Sequence, residues 1–205
     1  MLISERKRFI FVHVQKTAGS SLRDLLGPHA LKPDHGRLSR VMSDLGLQRD
    51  WRHRFFRTHA NLRTAQARLP ADIYRDYRKI AFVRNPWERL LSWYGYVQAT
   101  PEHADCRSGE GFEQFALRFI AKPRRAQWWM IQNAAGDMGL DFVGRFENLQ
   151  DDTAAMCRLL DIPLTAIPHH KRLITKDYRN AYSERLAEQV GKAWQAEIAH
   201  FGYRF

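Results

Sequence analysis

The sequence predicts an α/β fold with a central parallel sheet flanked by helices. Three observations point to it. Short apolar runs of strand character alternate with longer stretches of helical periodicity, the order found when parallel strands are joined by helices. Two of those runs, at 9–14 and 79–84, end abruptly in polar loops that open straight into helical pattern. The chain of 205 residues, 44% hydrophobic and 27% charged, falls in the globular range, with enough residues for one domain over 1–205 to bury a core.

Taken in order, the strands are expected at 9–14, 54–58, 79–84 and 141–146, and the helices at 20–27, 61–68, 86–98, 111–120, 124–134, 147–160 and 183–200. Phe9 to Val14 is a short run of strand character, and Leu22, Leu25 and Leu26 begin the first helix. Ile80 to Val83 reads as a buried strand that ends at Arg84. Asn85 is then a good N-cap, Pro86 suits the first helical position and Glu88 stands where it can reach back to the cap. Trp87, Leu90, Leu91, Tyr94 and Val97 follow on one helical face. The last helix carries a stripe of Leu186, Val190, Trp194, Ile198 and Phe201, with Ser183 to cap it and Gly202 to end it. No repeat, low-complexity tract or interdomain linker interrupts this order.

Ligands of such sheets bind beyond the carboxyl ends of the strands. Lys16, Arg84 and the Arg145–Glu147 region all fall there, and His59 follows the expected strand at 54–58. The segment Gln15-Lys16-Thr17-Ala18-Gly19-Ser20-Ser21 has the makings of an anion site. N–H groups at a helix start lack intrahelical partners and carry partial positive charge. Lys16 adds a full charge, Thr17, Ser20 and Ser21 add hydroxyls, and Gly19 admits close backbone approach. The loop is not a Walker A sequence, because its lysine precedes the glycine. The plainer alternative is an ordinary strand–turn–helix with a surface lysine, and for Arg84 a structural ion pair.

The order K-T-A-G-S-S resembles the 5′-phosphosulfate loop of sulfotransferases that use 3′-phosphoadenosine 5′-phosphosulfate (PAPS). F-V-R-N-P at 82–86, with Ser92 eight residues after Arg84, is similar to their 3′-phosphate site. DFVGRFENLQDD at 141–152 and the segment from Glu197 to Phe205 resemble stretches of the carbohydrate-type family, whose closing segment usually has aspartate where Glu197 stands. The resemblance runs from about residue 9 onward and is thin over 28–52 and 99–125. It implies a P-loop-like fold and sulfuryl transfer from PAPS to an acceptor hydroxyl, on a carbohydrate. It also implies that Lys16, Thr17, Ala18, Gly19, Ser20 and Ser21 hold the 5′ end of the donor, and Arg84 and Ser92 its 3′-phosphate. The chain is most similar to the small bacterial members, without the anchor and stem of Golgi relatives, which implies the cytoplasm.

Transfer requires stabilisation of the departing phosphate and removal of the acceptor proton. Lys16 suits the first task, since charge develops there in the transition state. His59 suits the second, with an ordinary pKa near 6.5, and Thr58-His59 resembles the context of a histidine in some glycan sulfotransferases. Glu147 is the second candidate base; its plainer role is an acid at the start of the helix that follows it. His13 reads as a core residue of the first strand. Gln127-Trp128-Trp129 resembles a region near acceptors, against a reading as core aromatics. In His169-His170-Lys171-Arg172, Lys171 and Arg172 are candidates for a loop over the 3′-phosphate, against a solvated charge run.

The net charge of +11 and pI near 10.0 call for an anionic partner. PAPS and an acidic acceptor supply one; nucleic acid is the alternative, but no nucleic-acid-binding signature accompanies the charge. A nucleotide or small-molecule kinase is the rival enzyme, opposed by the loop order and by the lack of a clear metal-holding acid. Cys106 and Cys157 fit neither a metal nor a redox spacing. No run approaches the roughly 18 apolar residues of a membrane span. Acceptor identity is expected in 28–52 and 99–135, where the resemblance is thinnest.

Overall fold

The computed structural model describes residues 1–32, 36–164 and 177–205, so His169, His170, Lys171 and Arg172 lie outside the described residues. The apolar run beginning at Phe9 forms a strand, β2 (Phe9–Val12), and folds against a partner that the pattern did not reveal. That partner is β1 (Leu2–Ser4), antiparallel to β2 with Ile3 opposite Ile10. Ser4 Oγ stabilises the connection by accepting from the Lys7 N–H at 3.1 Å. A strand of three residues is too short for period-two alternation to register. β2 pairs in parallel with β3 (Arg78–Val83), and β3 in parallel with β4 (Phe142–Arg145), giving the order β1-β2-β3-β4.

The strand expected at 54–58 does not form. The Phe55 N–H donates to Ser43 Oγ at 2.8 Å, and Arg54 Nε donates to the Gln48 carbonyl at 3.0 Å. These bonds hold the segment as a loop after a 3-10 turn at Trp51–His53, while β1 and β3 take both sides of β2.

The helices are α1 (Gly19–Leu26), α2 (Arg37–Asp44), α3 (Leu62–Arg68), α4 (Ala71–Asp76) and α5 (Pro86–Gln98). There follow α6 (Phe112–Ile120), α7 (Gln127–Ile131), α8 (Leu149–Leu160), α9 (Glu184–Ala193) and α10 (Gln195–Phe201). α2 and α4 were not expected. The helix expected at 124–134 is shorter, since Pro123 opens a separate 3-10 turn to Arg125. The last expected helix bends at Trp194, whose ψ of 29° separates α9 from α10. The Ser183 cap and the Gly202 stop are both present, the glycine at φ 66°.

Alternation along the strands builds two cores. Phe9, Phe11, Ile80 and Phe82 face α1 and α8 through Leu22, Leu25, Leu26, Met156, Cys157 and Leu160. Ile10, Val12, Ala81 and Val83 face the other side, where Leu62, Leu90, Phe115, Ile131 and Val190 cover them. The sheet is therefore buried on both faces, as its parallel strands require. Each phenylalanine removed from water contributes about 1.5–3 kcal/mol. Among the described residues, no helix is long and apolar enough to cross a membrane.

Candidate active site at the carboxyl edge of the sheet

β2, β3 and β4 run in parallel, so the loops after Val12, Val83 and Arg145 lie along one edge. The first loop bends twice through left-handed backbone, at Lys16 (φ 67°) and Ala18 (φ 61°). Such alternation turns successive N–H groups to one side, forming an anion-binding concavity. Ala18 is the N-cap of α1 and has no side-chain oxygen with which to cap that helix start. Ser20 is exposed in its first turn, and Ser21 is buried. Thr17 departs from expectation: its hydroxyl donates to the Val14 carbonyl at 2.9 Å and is buried, so it braces the loop.

Gly19 has a structural reason beyond anion approach. A Cβ there would lie 1.9 Å from His13 Nε2 and 2.0 Å from Cδ2. The imidazole occupies the place of a side chain and packs under the loop.

Arg84, at the end of β3, is buried and reaches two partners. Its Nη1 donates to the Lys16 carbonyl at 3.3 Å, and its Nη2 donates to Glu88 Oε1 at 2.5 Å. The guanidinium carbon stands 3.9 Å from the centre of the Phe146 ring, and Nε is buried without a partner among the described residues. Glu88 thus pairs with Arg84, while the Asn85 N–H to which it was expected to reach back is taken by Glu147. Asn85 itself caps α5, accepting from the Trp87 and Glu88 N–H groups at 3.1 and 3.3 Å. Glu88, Ser92 and Tyr96 follow at four-residue intervals and share one face of α5. Tyr96 meets Lys16, with Nζ 4.6 Å from the ring centre, and Ser92 is buried between the two contacts. Burial, and then the charge of Arg84, lower the pKa of Lys16 to about 8.

His59 reaches the same edge from a loop. Its Nδ1 lies 3.0 Å from the His13 carbonyl, and the two imidazoles meet at a tilt of 55° with centres 4.5 Å apart. A carbonyl only accepts, so Nδ1 carries the proton and Nε2 is the basic nitrogen. Burial against His13 lowers the pKa of His59, with the hydrogen bond to His13 acting the other way. His13 is pushed down to about 3, by burial first and by His59 next, and its Nδ1 has no partner among the described residues. Both rings are neutral at pH 7.

Glu147 is committed on both oxygens, to the Asn85 N–H and to the Tyr203 hydroxyl at 3.3 Å. It serves the start of α5 rather than the start of α8, which follows it. Arg145 donates to the Phe201 carbonyl at 2.7 Å, and so ties α10 to the sheet. Gln127 is fully buried: its amide bonds both the N–H and the carbonyl of Arg84, at 2.9 and 2.8 Å, and also Glu197 at 3.1 Å. Glu197 completes the clamp by accepting from the Trp128 N–H at 2.9 Å. The carboxylate that replaces the usual aspartate therefore holds up the backbone of Arg84, and burial raises its pKa.

A family model described as "Sulfotransferase family" matches residues 1–203. The chain belongs to the sulfotransferase family. No curated protein and no solved structure gives a match. A sulfotransferase of this family moves a sulfuryl group from a donor to an acceptor. The residues here fit a donor with two phosphate ends: an uncapped helix start with Lys16 at one side, and a buried arginine with an orphaned Nε at the other.

Sequence reasoning missed three participants in this sulfotransferase. His13 was read as core, and its fit into the space at Gly19, six residues further on, is visible only in three dimensions. Tyr96 was legible from the interval Glu88–Ser92–Tyr96. Arg23, which acts electrostatically on both histidines, carried no motif.

Proposed function

We propose that this chain transfers the sulfuryl group of PAPS to an acceptor hydroxyl, with the single observation that carries the reading being the Lys16–Arg84 junction at the end of two neighbouring parallel strands. The junction links the two phosphate loops through one hydrogen bond, so the sites for both ends of the donor are fixed relative to one another. The N–H groups of Gly19, Ser20 and Ser21 with Lys16 receive the 5′ end, and Arg84 and Ser92 the 3′-phosphate. The arrangement is P-loop-like in that a strand leads through an N–H-rich loop into a helix. The resemblance of the sequence offers a carbohydrate as acceptor, but no residue described at this edge selects one.

Bound there, PAPS supplies the sulfuryl group and leaves as adenosine 3′,5′-bisphosphate. His59 Nε2 takes the acceptor proton as the acceptor oxygen bonds to sulfur. The Lys16 ammonium stabilises the oxygen left with the electron pair of the broken S–O bond. His13 fixes the tautomer of His59 through its carbonyl and carries the loop through its ring. Glu147, with both oxygens engaged, positions α5.

Calorimetric titration with adenosine 3′,5′-bisphosphate and, in parallel, ATP tests the donor class. Micromolar binding of the bisphosphate, much weaker ATP binding and loss of the former in Arg84→Ala are expected. A preference for ATP with Mg²⁺, or no binding of either, overturns the assignment.

A further inference from the structure

A cavity of about 340 Å³ lies beside the loop that carries His59, enclosed by the end of α1, β1 and residues 51–58. Its wall includes Leu2, Ile3, Leu31, Trp51, Phe55 and Phe56, so most of it is apolar and aromatic. Thr58, the residue before His59, forms part of it. Four cationic side chains also line it, and they differ in how far they are already engaged. Arg52 is paired with Glu5 and Asp50, with Nε 2.9 Å from both Glu5 oxygens. Arg54 is spent on the Gln48 and Arg68 carbonyls. Arg23 and Lys32 have no acidic partner among the described residues. Arg23 is also the one whose charge bears on both His13 and His59.

We infer that this cavity is the acceptor pocket and that the acceptor is a compact hydroxy acid with an apolar or aromatic body, its carboxylate held by Arg23. The inference rests on the sulfotransferase reading above. It narrows the acceptor to a compact molecule with an apolar body, because a cavity of about 340 Å³ is walled mostly by apolar and aromatic side chains. Such a pocket, mostly apolar with a few placed polar groups, suits a single-ring molecule. An open guanidinium offers a planar fork to one carboxylate. A sugar would bring hydroxyls on every side to a wall of Leu2, Leu31, Trp51 and Phe56 that cannot bond them.

The test uses 3-(4-hydroxyphenyl)propanoate, its primary amide and glucuronate. Each is titrated into the protein alone and into protein saturated with adenosine 3′,5′-bisphosphate, and then offered with PAPS while sulfated product is followed. The acid is expected to bind and react about tenfold better than the amide, the scale of one charge-assisted hydrogen bond, and better than glucuronate, whose carboxylate is the same but whose hydroxyls the apolar wall leaves unbonded. Arg23→Gln removes that advantage and Arg23→Lys keeps part of it, with bisphosphate affinity unchanged in both. Equal binding of acid and amide, tighter binding of glucuronate, or an advantage that survives in Arg23→Gln overturns the pocket while leaving the donor assignment intact. Failure of the bisphosphate to bind overturns the donor assignment instead, and the comparison of acid with amide on the free protein still decides the pocket.

Discussion

Donor binding should draw a proton into the protein, and Lys16 is the reason. Its pKa is held at about 8 by burial and by the neighbouring charge of Arg84. Lowering a lysine pKa means that the ammonium is disfavoured in the empty loop. An anion placed against Nζ supplies the missing counter-charge and restores the ordinary value near 10.4. The uptake then follows from the two titration curves. It is about 0.1 proton per site at pH 7, about 0.5 at pH 8 and about 0.9 at pH 9. Affinity should fall roughly tenfold per pH unit between about pH 8 and 10, since the proton must be bought back at each step. The assay is calorimetric titration with adenosine 3′,5′-bisphosphate in buffers of differing ionisation enthalpy, where the slope of heat against that enthalpy counts protons. Working above pH 8 keeps the phosphates themselves fully ionised. Lys16→Gln should abolish the uptake. Zero uptake at pH 8 to 9, or the same uptake in Lys16→Gln, would refute both the burial argument and the placement of the 5′ end.

Gly19→Ala should destabilise the fold by about 1–3 kcal/mol, the usual cost of overpacking, because its Cβ meets the His13 ring; adding His13→Ala should recover part of that loss in urea unfolding, and a purely additive pair would sink the steric account. Stability should fall as pH drops from about 6.5 toward about 3, by up to about 1.4 kcal/mol per unit, since unfolded His13 binds a proton that the native ring refuses. His13→Phe should flatten that slope in unfolding titrations between pH 4 and 7. His59→Gln should lower kcat at least a hundredfold with bisphosphate affinity preserved, the scale of general-base loss, whereas Glu147→Gln should chiefly lower stability by about 1–3 kcal/mol; a Glu147 variant that folds normally but has lost the chemical step would reverse the two roles. Asn85→Ala removes the cap of α5 and should cost about 0.5–2 kcal/mol by the same unfolding assay.

The parts of the fold legible in the sequence were those with strong local signals. Asn85-Pro86 marked the start of α5, Ser183 and Gly202 bounded the last helical region, and the runs at Phe9 and Ile80 became parallel neighbours. β1 was not legible, because three residues carry no period, and 54–58 misled because an aromatic pair between two arginines looks like a strand until Ser43 claims the Phe55 N–H. The site was legible as a set of strand ends. Its electrostatics were not. That Glu88 turns to Arg84 depends on Glu147 arriving from 62 residues away to take the Asn85 N–H. The fit of His13 beneath Gly19 depends on how tightly α1 docks on the sheet.

The clamp around the start of α5 also dictates when this site can come into being. Gln127 grips the Arg84 backbone but is itself held by Glu197. Asn85 Nδ2 donates to the Tyr178 hydroxyl and the Arg204 carbonyl, Glu147 accepts from Tyr203, and Trp87 Nε1 donates to the Ala187 carbonyl at 2.9 Å. The residues that fasten Arg84 and Asn85 lie 43 to 119 positions further along the chain. A folding chain therefore orders this edge only once those later segments have docked, so the loops and their braces form together as one cooperative unit.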